Sequence, residues 1–458
     1  MKVLVCGAGL VGMNIADYLV RAGHDVTIVD QRQDLARKLG ENLDIKAIAG
    51  HASHPEVLER AGAADSDMLI AVTHADEVNM VACQVAHTFF DVPTKIARIR
   101  QQTYLEARWS DLFRAEHVPI DVIISPELEV ARAIARRLEV PGALEVIPFA
   151  GDRVRLMAVR CQRDCPMIDT PLRQLGFLFP DLQLTAVAIV RDGRFFVPGG
   201  DDQLLINDEV YFVVATNQID RAMSALGYEE PAPERCVIAG GGNIGWYLAG
   251  LLRASRAETT IKIIEWNQQR AADLAVRGHE LNVILGDARD DAILAEANIG
   301  LVDAMICVTN DDEVNIMASL LAKRQGCPLA FTLVNHSNYA PLLGPLGIDV
   351  AINPRETTVS SVLQHVRSGR VRSVRSIVDG AAEVLEAEAL ETSPLVGVKL
   401  RDAKLGGGVI VAAVVRGDRV LTPRGDTVVR AGDRVVVAAR STMVKRVEKL
   451  FAVRLDYF

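Results

Sequence analysis

The sequence predicts an α/β fold built on parallel sheets, written twice along one chain. Three observations carry this. Hydrophobic residues make up 50% of the 458 while aromatics are only 5%, the Val, Ile, Leu, Ala and Gly diet of strands buried on both faces. Apolar runs alternate with amphipathic ones in a βαβ rhythm. And residues 68–86 align without a gap to residues 304–322 with nine of 19 positions identical, including Thr73/Thr309, Asp76/Asp312, Glu77/Glu313 and Asn79/Asn315.

The repeat extends over nearly the whole chain. Gly7 to Gly12 answers Gly240 to Gly245, Gly50 answers Gly286, and Ile189 to Arg194 answers Val414 to Arg419. The seam is Gly227 to Glu234, whose two prolines and three acids cannot continue a helix or strand. Within each copy the character changes once more, so four domains are expected: 1–125, 143–226, 235–353 and 374–458.

In the first domain, strands are expected at Val3–Cys6, Asp25–Val29, Ile45–Ile48, Met68–Val72 and Lys95–Ile99. Helices are expected at Val11–Ala22, Leu35–Glu41, Pro55–Ala61 and Val78–Phe90, then from Pro126 to Leu138, where Pro141-Gly142 breaks the chain. Residues 143–226 are of another kind. Thr185–Val190, the turn Asp192-Gly193, Arg194–Val197 and Glu209–Ala215 read as strand, hairpin and two further strands of a small α+β module.

Lys and Arg number 50 against 59 Asp and Glu, a formal charge of -9, so the basic face that phosphate neutralisation demands of a nucleic-acid protein is absent from the balance. The longest apolar stretch, Val409 to Val415, falls far short of the ~20 residues of a spanning helix. Asn14 and Asp17 interrupt the start as a signal peptide, neither Met1-Lys2-Val3 nor Leu455 to Phe458 carries a lipidation motif, and seven scattered cysteines read as buried free thiols of a reducing cytosol. A soluble cytoplasmic protein is the expectation.

The chemistry lies in two glycine loops. Gly7, Gly9 and Gly12 follow the first strand and open a helix: the first glycine makes the turn, the second admits a pyrophosphate, the third lets helix and strand pack. The helix N-terminus then faces the anion. Asp30, ending the second strand, is placed to accept hydrogen bonds from a ribose diol, which favours NAD over NADP, while Arg32 nearby has the opposite preference. The layout recurs with Gly240, Gly242, Gly245 and Glu265. Two Rossmann-like doubly wound domains follow.

Thr73-His74 and Thr309-Asn310, ending the fourth strands, lie at the carboxyl edge where such sheets bind ligands and are candidate adenine and ribose neighbours. Arg98 could reach phosphates as a charged fork. Leu333 stands opposite Arg98 and Asn335 opposite Arg100, so the second site lacks that cation. His51, His54 and His74 share this edge, but the second copy has Asp287, Asp290 and Asn310 there and nothing completes a tetrahedral metal set; polar loop residues are the reading. Arg367, Arg370, Arg372 and Arg375 form the only local positive cluster, a solvated face or an anionic-surface contact. Residues 143–226 and 377–458 contain no histidine, so the second domain of a dehydrogenase, with its proton-transfer group, is missing. The chain reads as a sensor, not an enzyme.

With Gly7 to Gly12, Asp30, Gly50-His-Ala-Ser-His-Pro55, Ala71-Val-Thr73, Asp76-Glu-Val-Asn79, Ile96 to Arg100, Gly240 to Gly245 and Val308 to Glu313, the sequence resembles the bacterial Trk potassium-uptake regulatory proteins of the tandem RCK family over essentially its full length. The resemblance implies two RCK units, each a nucleotide-binding domain and an RCK C-terminal domain, forming a homotetrameric ring on the inner face of a TrkH/TrkG-type potassium-translocating membrane subunit. It implies NAD(H) and ATP/ADP as ligands. The first site would comprise Gly7, Ala8, Gly9, Leu10, Val11, Asp30, Thr73, His74 and Arg98; the second would centre on Gly240, Gly241, Gly242, Asn243, Ile244, Gly245 and Glu265. A soluble NAD-dependent dehydrogenase and a regulator of another ion transporter, such as a cation/proton antiporter, are the competing readings.

Overall fold

A computed structural model describes the chain except residues 279–280, 337, 367–370, 379, 404 and 452–458. Arg367 and Arg370 of the basic run, and Leu455 to Phe458, lie outside the described residues.

The first copy opens with six parallel strands, β1 (Lys2–Cys6), β2 (Asp25–Asp30), β3 (Lys46–Ala49), β4 (Met68–Ala71), β5 (Thr94–Arg98) and β6 (Val122–Ile124), in the order β3-β2-β1-β4-β5-β6. This is the doubly wound arrangement, with its crevice where the order reverses between β1 and β4. Residues Val3 to Cys6 and Met68 to Ala71 are buried throughout, as central strands covered by helices on both faces must be. The sequence predicts five strands here. It misses β6, whose three residues are too few to show a period.

An antiparallel module follows: β7 (Ala143–Phe149), β8 (Val154–Arg160), β9 (Leu184–Arg191), β10 (Arg194–Phe196) and β11 (Glu209–Ala215), in the order β10-β9-β11-β8-β7. The turn between β9 and β10 is Asp192-Gly193, both at positive φ, as a two-residue hairpin loop requires. The second copy repeats the plan. Parallel strands β12 (Arg235–Ala239), β13 (Thr260–Glu265), β14 (Asn282–Leu285), β15 (Ala304–Cys307), β16 (Leu329–Leu333) and β17 (Val350–Ile352) take the order β14-β13-β12-β15-β16-β17. Antiparallel β18 (Val371–Ile377), β19 (Ala382–Glu388), β20 (Val409–Arg416), β21 (Arg419–Leu421) and β22 (Arg434–Arg440) take β18-β19-β22-β20-β21.

Like packs with like. One compact unit comprises residues 1–135 and 234–366, the two parallel-sheet domains; the other comprises residues 136–233 and 367–458, the two antiparallel modules. In the first unit the helix Pro354–Leu363, from the second copy, lies on the first copy's helix Leu10–Arg21. Val362 and Val366 join Val3, Val5, Ile15 and Leu19 in one core. Ser361 Oγ donates to a Glu129 carboxylate oxygen at 2.8 Å, so the helix Pro126–Glu139 meets it. In the second unit the two sheets share a core of Leu156, Ala188, Val213, Val384, Ala413 and Val436. There the Ala150 N–H, at φ 54, donates to Glu386 at 2.8 Å, and Arg434 Nε donates to the same carboxylate at 2.7 Å.

Candidate functional site

Each glycine loop is shaped by close approach. Gly7 has φ 113, and a Cβ there would lie 3.0 Å from the main chain of Val72 and Thr73; at Gly12 it would lie 1.8 Å from the Gly7 carbonyl oxygen. Only glycine fits either place. At Gly9 nothing lies within 4 Å, and the helix Leu10–Arg21 that it opens has no side-chain cap. Its first N–H groups therefore face open space, the arrangement that receives an anion. Gly240 (φ 110), Gly245 and Gly242 repeat the three roles ahead of the helix Asn243–Ser255.

The Asp30 carboxylate accepts from the Ala8 N–H at 2.6 Å and the Arg32 N–H at 2.8 Å. It stays half-buried, with lone pairs left for a ligand. Glu265 holds the second loop the same way, accepting from Gly241 N at 2.9 Å and Asn267 N at 2.8 Å. It differs in being only 2% exposed, with Arg270 Nη1 3.6 Å away.

The segment repeated between the copies serves as a lock for the strand ends. Asn79 Oδ1 accepts from Thr73 N (2.8 Å) and from the Thr73 hydroxyl (2.7 Å), while its Nδ2 donates to the carbonyls of Thr73 (3.3 Å) and Arg98 (2.8 Å). Asn315 makes the same four bonds to Thr309 and Leu333. Asp76 accepts from the N–H groups of Arg100 and Gln101; Asp312 accepts from those of Asn335 and His336. The equivalence of Arg98 with Leu333 and of Arg100 with Asn335 is thus read directly from bonding. It also changes the reading of Thr73 and Thr309, whose hydroxyl hydrogens turn inward to asparagine and leave only acceptor capacity.

Arg98 Nη2 donates to the Thr73 carbonyl at 2.6 Å, and its buried Nε has no partner among the described residues. Burial, and then Arg100, lower its pKa from the ordinary arginine value. A buried donor without an acceptor costs about 1–3 kcal/mol. Arg100 pairs with Glu127 Oε1 at 2.8 Å, and the other carboxylate oxygen, Oε2, is likewise buried and without a partner among the described residues.

A single cavity of about 940 Å³ serves both copies within the first unit. From the expected site residues it takes in Gly7, Gly9, Leu10, Val11, Asp30, Thr73, His74 and Arg98 from the first copy, and Gly242, Asn243, Ile244 and Asn310 from the second. Ala8, Gly12, Gly240, Gly241, Gly245, Glu265 and Thr309 are not among the residues that line it. Sequence reasoning missed Arg100, Glu127, Arg270 and Arg355, which also line it. The one signal for Glu127 and Arg355 is that each follows a proline, Pro126 and Pro354, at the same place in the repeat. His51 lines the cavity, with Nδ1 2.8 Å from the Ser53 hydroxyl and its ring stacked on His54 at 4.9 Å. Among the described residues no three His, Cys, Asp or Glu side chains come together as a metal set.

Two glycine loops on doubly wound sheets, open to one cavity and each followed in the chain by an antiparallel module, define a tandem nucleotide-binding class of protein. The TrkA-N domain matches residues 3–126 and 236–354, and the TrkA-C domain residues 156–227 and 384–452. The Trk system potassium uptake protein TrkA of Azorhizobium caulinodans is 50% identical, over 100% of both chains. The chain belongs to the TrkA family. Among solved structures, the GsuK RCK domain (TM-score 0.59, 18% identity, 99% of this chain and 95% of that one) and the GsuK channel bound to NAD (TM-score 0.61, 17% identity, 99% and 79%) share its fold.

Proposed function

We propose that this protein is a cytoplasmic, nucleotide-sensing regulatory subunit of a potassium-uptake system, a homotetramer that binds NAD(H), and ATP/ADP, and gates a TrkH/TrkG-type membrane subunit. The observation that carries the proposal is Arg98. Its side chain lines the same cavity as Gly9 and the uncapped helix start, so a cation and a bank of N–H groups stand around one space fit for an anion. The names of the relatives point to potassium uptake, and the NAD held by the GsuK channel supports the ligand class. No helix of the described residues is long and apolar enough to cross a membrane, so attachment to the membrane would be through the partner.

In this reading Gly7 to Gly12 receive the pyrophosphate, Asp30 the adenosine ribose, and Arg98 a phosphate or the far ribose. Because both loops open to one cavity, a ligand in it favours one relative placement of the two copies. It does so only by its difference in affinity between placements.

Calorimetry on the full chain tests the binding. Gly9→Val, which fills the space the pyrophosphate needs, should abolish NADH binding at the first loop, and Asp30→Ala should weaken it there by about 1.5–3 kcal/mol. Unchanged affinity in both would remove the site from the account. Potassium flux through the reconstituted partner should then respond to exchange of NADH for ATP, and indifference to every adenine nucleotide would end the sensing proposal.

A further inference from the structure

The two sites carry their charges at opposite ends. In the first, the acid ending the second strand, Asp30, is half-open and the cation is Arg98 at the end of β5. In the second, β16 ends in buried Leu333, and beside the acid stands Arg270, in the first turn of the helix Gln268–Arg277. Arg270 occupies the position of Leu35 in the first copy, and both line the cavity.

The acid has changed its work as well. Glu265 is one methylene longer than Asp30, and it faces Gly241 where Asp30 faces Ala8. A Cβ at Gly241 would lie 3.1 Å from Glu265 Oε2 and 2.3 Å from Leu274 Cδ1, so the longer acid and the glycine belong together. Glu265 takes the same two N–H bonds as Asp30, but at 2% exposure it presents almost no surface to a ribose hydroxyl. What the ligand meets at that end is the Arg270 guanidinium, 51% exposed and neutralising the acid beneath it. Open carboxylates at this place select a ribose diol and repel a phosphate; an arginine there accepts the phosphate. Arg32 also lines the first side of the cavity, but beside the open Asp30 carboxylate, which opposes a second anion.

From this juxtaposition we propose that the second site takes an adenosine nucleotide whose ribose carries a phosphate, of the NADPH type, with Arg270 as the residue that selects it. The proposal rests on the reading of the cavity as a nucleotide site, and its test is separable from that of the first loop. In the full chain carrying Gly9→Val, NADPH should bind at least tenfold more tightly than NADH, followed by the fluorescence of the reduced nicotinamide. Arg270→Leu on that background should erase the preference, and Arg270→Lys, which keeps the charge, should restore part of it, with thermal unfolding unchanged in both. Equal affinities, no NADPH binding, or a preference that survives Arg270→Leu would overturn the proposal. The fall in NADH affinity from the unaltered chain to Gly9→Val reports on the first site, and the NADPH-to-NADH ratio on the Gly9→Val background reports on the second, so loss of one result leaves the other standing.

Discussion

Asn79 Nδ2 donates to the Arg98 carbonyl at 2.8 Å, and through this bond the end of β4 and the end of β5 are held at one spacing. The Asn79 side chain is fully buried and uses its whole amide on Thr73 and Arg98. Asn79→Ala should therefore destabilise the first parallel-sheet domain by about 2–4 kcal/mol, since it removes four hydrogen bonds at part-buried groups of Thr73 and Arg98. Denaturant unfolding would measure it, and a loss below about 0.5 kcal/mol, typical of a surface change, would show that the lock is dispensable.

Arg98→Leu copies the second site's residue into the first. The Thr73 carbonyl keeps its bond from Asn79, and the second copy already folds with leucine there, so stability should hold. NADH affinity should fall about tenfold or more, the scale of one charge-assisted hydrogen bond. Calorimetry on the full chain checks this, and an unaltered dissociation constant would take Arg98 out of the site.

Asp312 gives the fold a defined acid limit. Burial pushes its carboxyl up, but the N–H groups of Asn335 and His336 and the His336 ring outweigh that, and its pKa lies below the ordinary aspartate value. A lowered pKa in the folded state means the stabilisation is complete above the unfolded value of about 3.9 and is lost as pH falls through the folded value. The stability difference between the protein and Asp312→Asn should be about 1–3 kcal/mol at pH 6 and shrink below about pH 4. A difference independent of pH would contradict the charge argument.

What could be read in the sequence was what is local or periodic. The glycine loops, Asp30 and the repeated Thr, Asp and Asn sit at fixed offsets from strands whose apolar runs mark themselves, so the sheets and the first loop were legible. Glu265 was legible as an acid at the right place but not as a buried one, because burial there depends on Leu274 and Arg270 closing over it. Strands β7 and β8 are not legible because Pro148 interrupts the first and the continuous apolar run Leu156 to Val159 replaces, in the second, the alternation that marks a half-buried strand. Arg355 and Glu127 could not be placed at the cavity, because nothing in a sequence tells which of two equal domains a helix will cover.

That last uncertainty leads to the strongest test of the architecture. Val362 belongs to the second copy, 0% exposed, yet it packs in the first copy's core with Val3, Ile15 and Leu19. Val362→Ala removes two carbons from that core, at about 0.8 kcal/mol each plus the cost of the space left behind, or about 1.5–3 kcal/mol. The loss should appear in the first copy, several hundred residues away along the chain. Hydrogen exchange should quicken in the helix Leu10–Arg21, at Ile15 and Leu19, which carries the first glycine loop. Because that helix start is the proposed anion site, NADH affinity should fall with it, although Val362 does not line the cavity. Faster exchange confined to residues 354–366 would mean that each copy folds on its own helix, and the shared cavity would lose its structural basis.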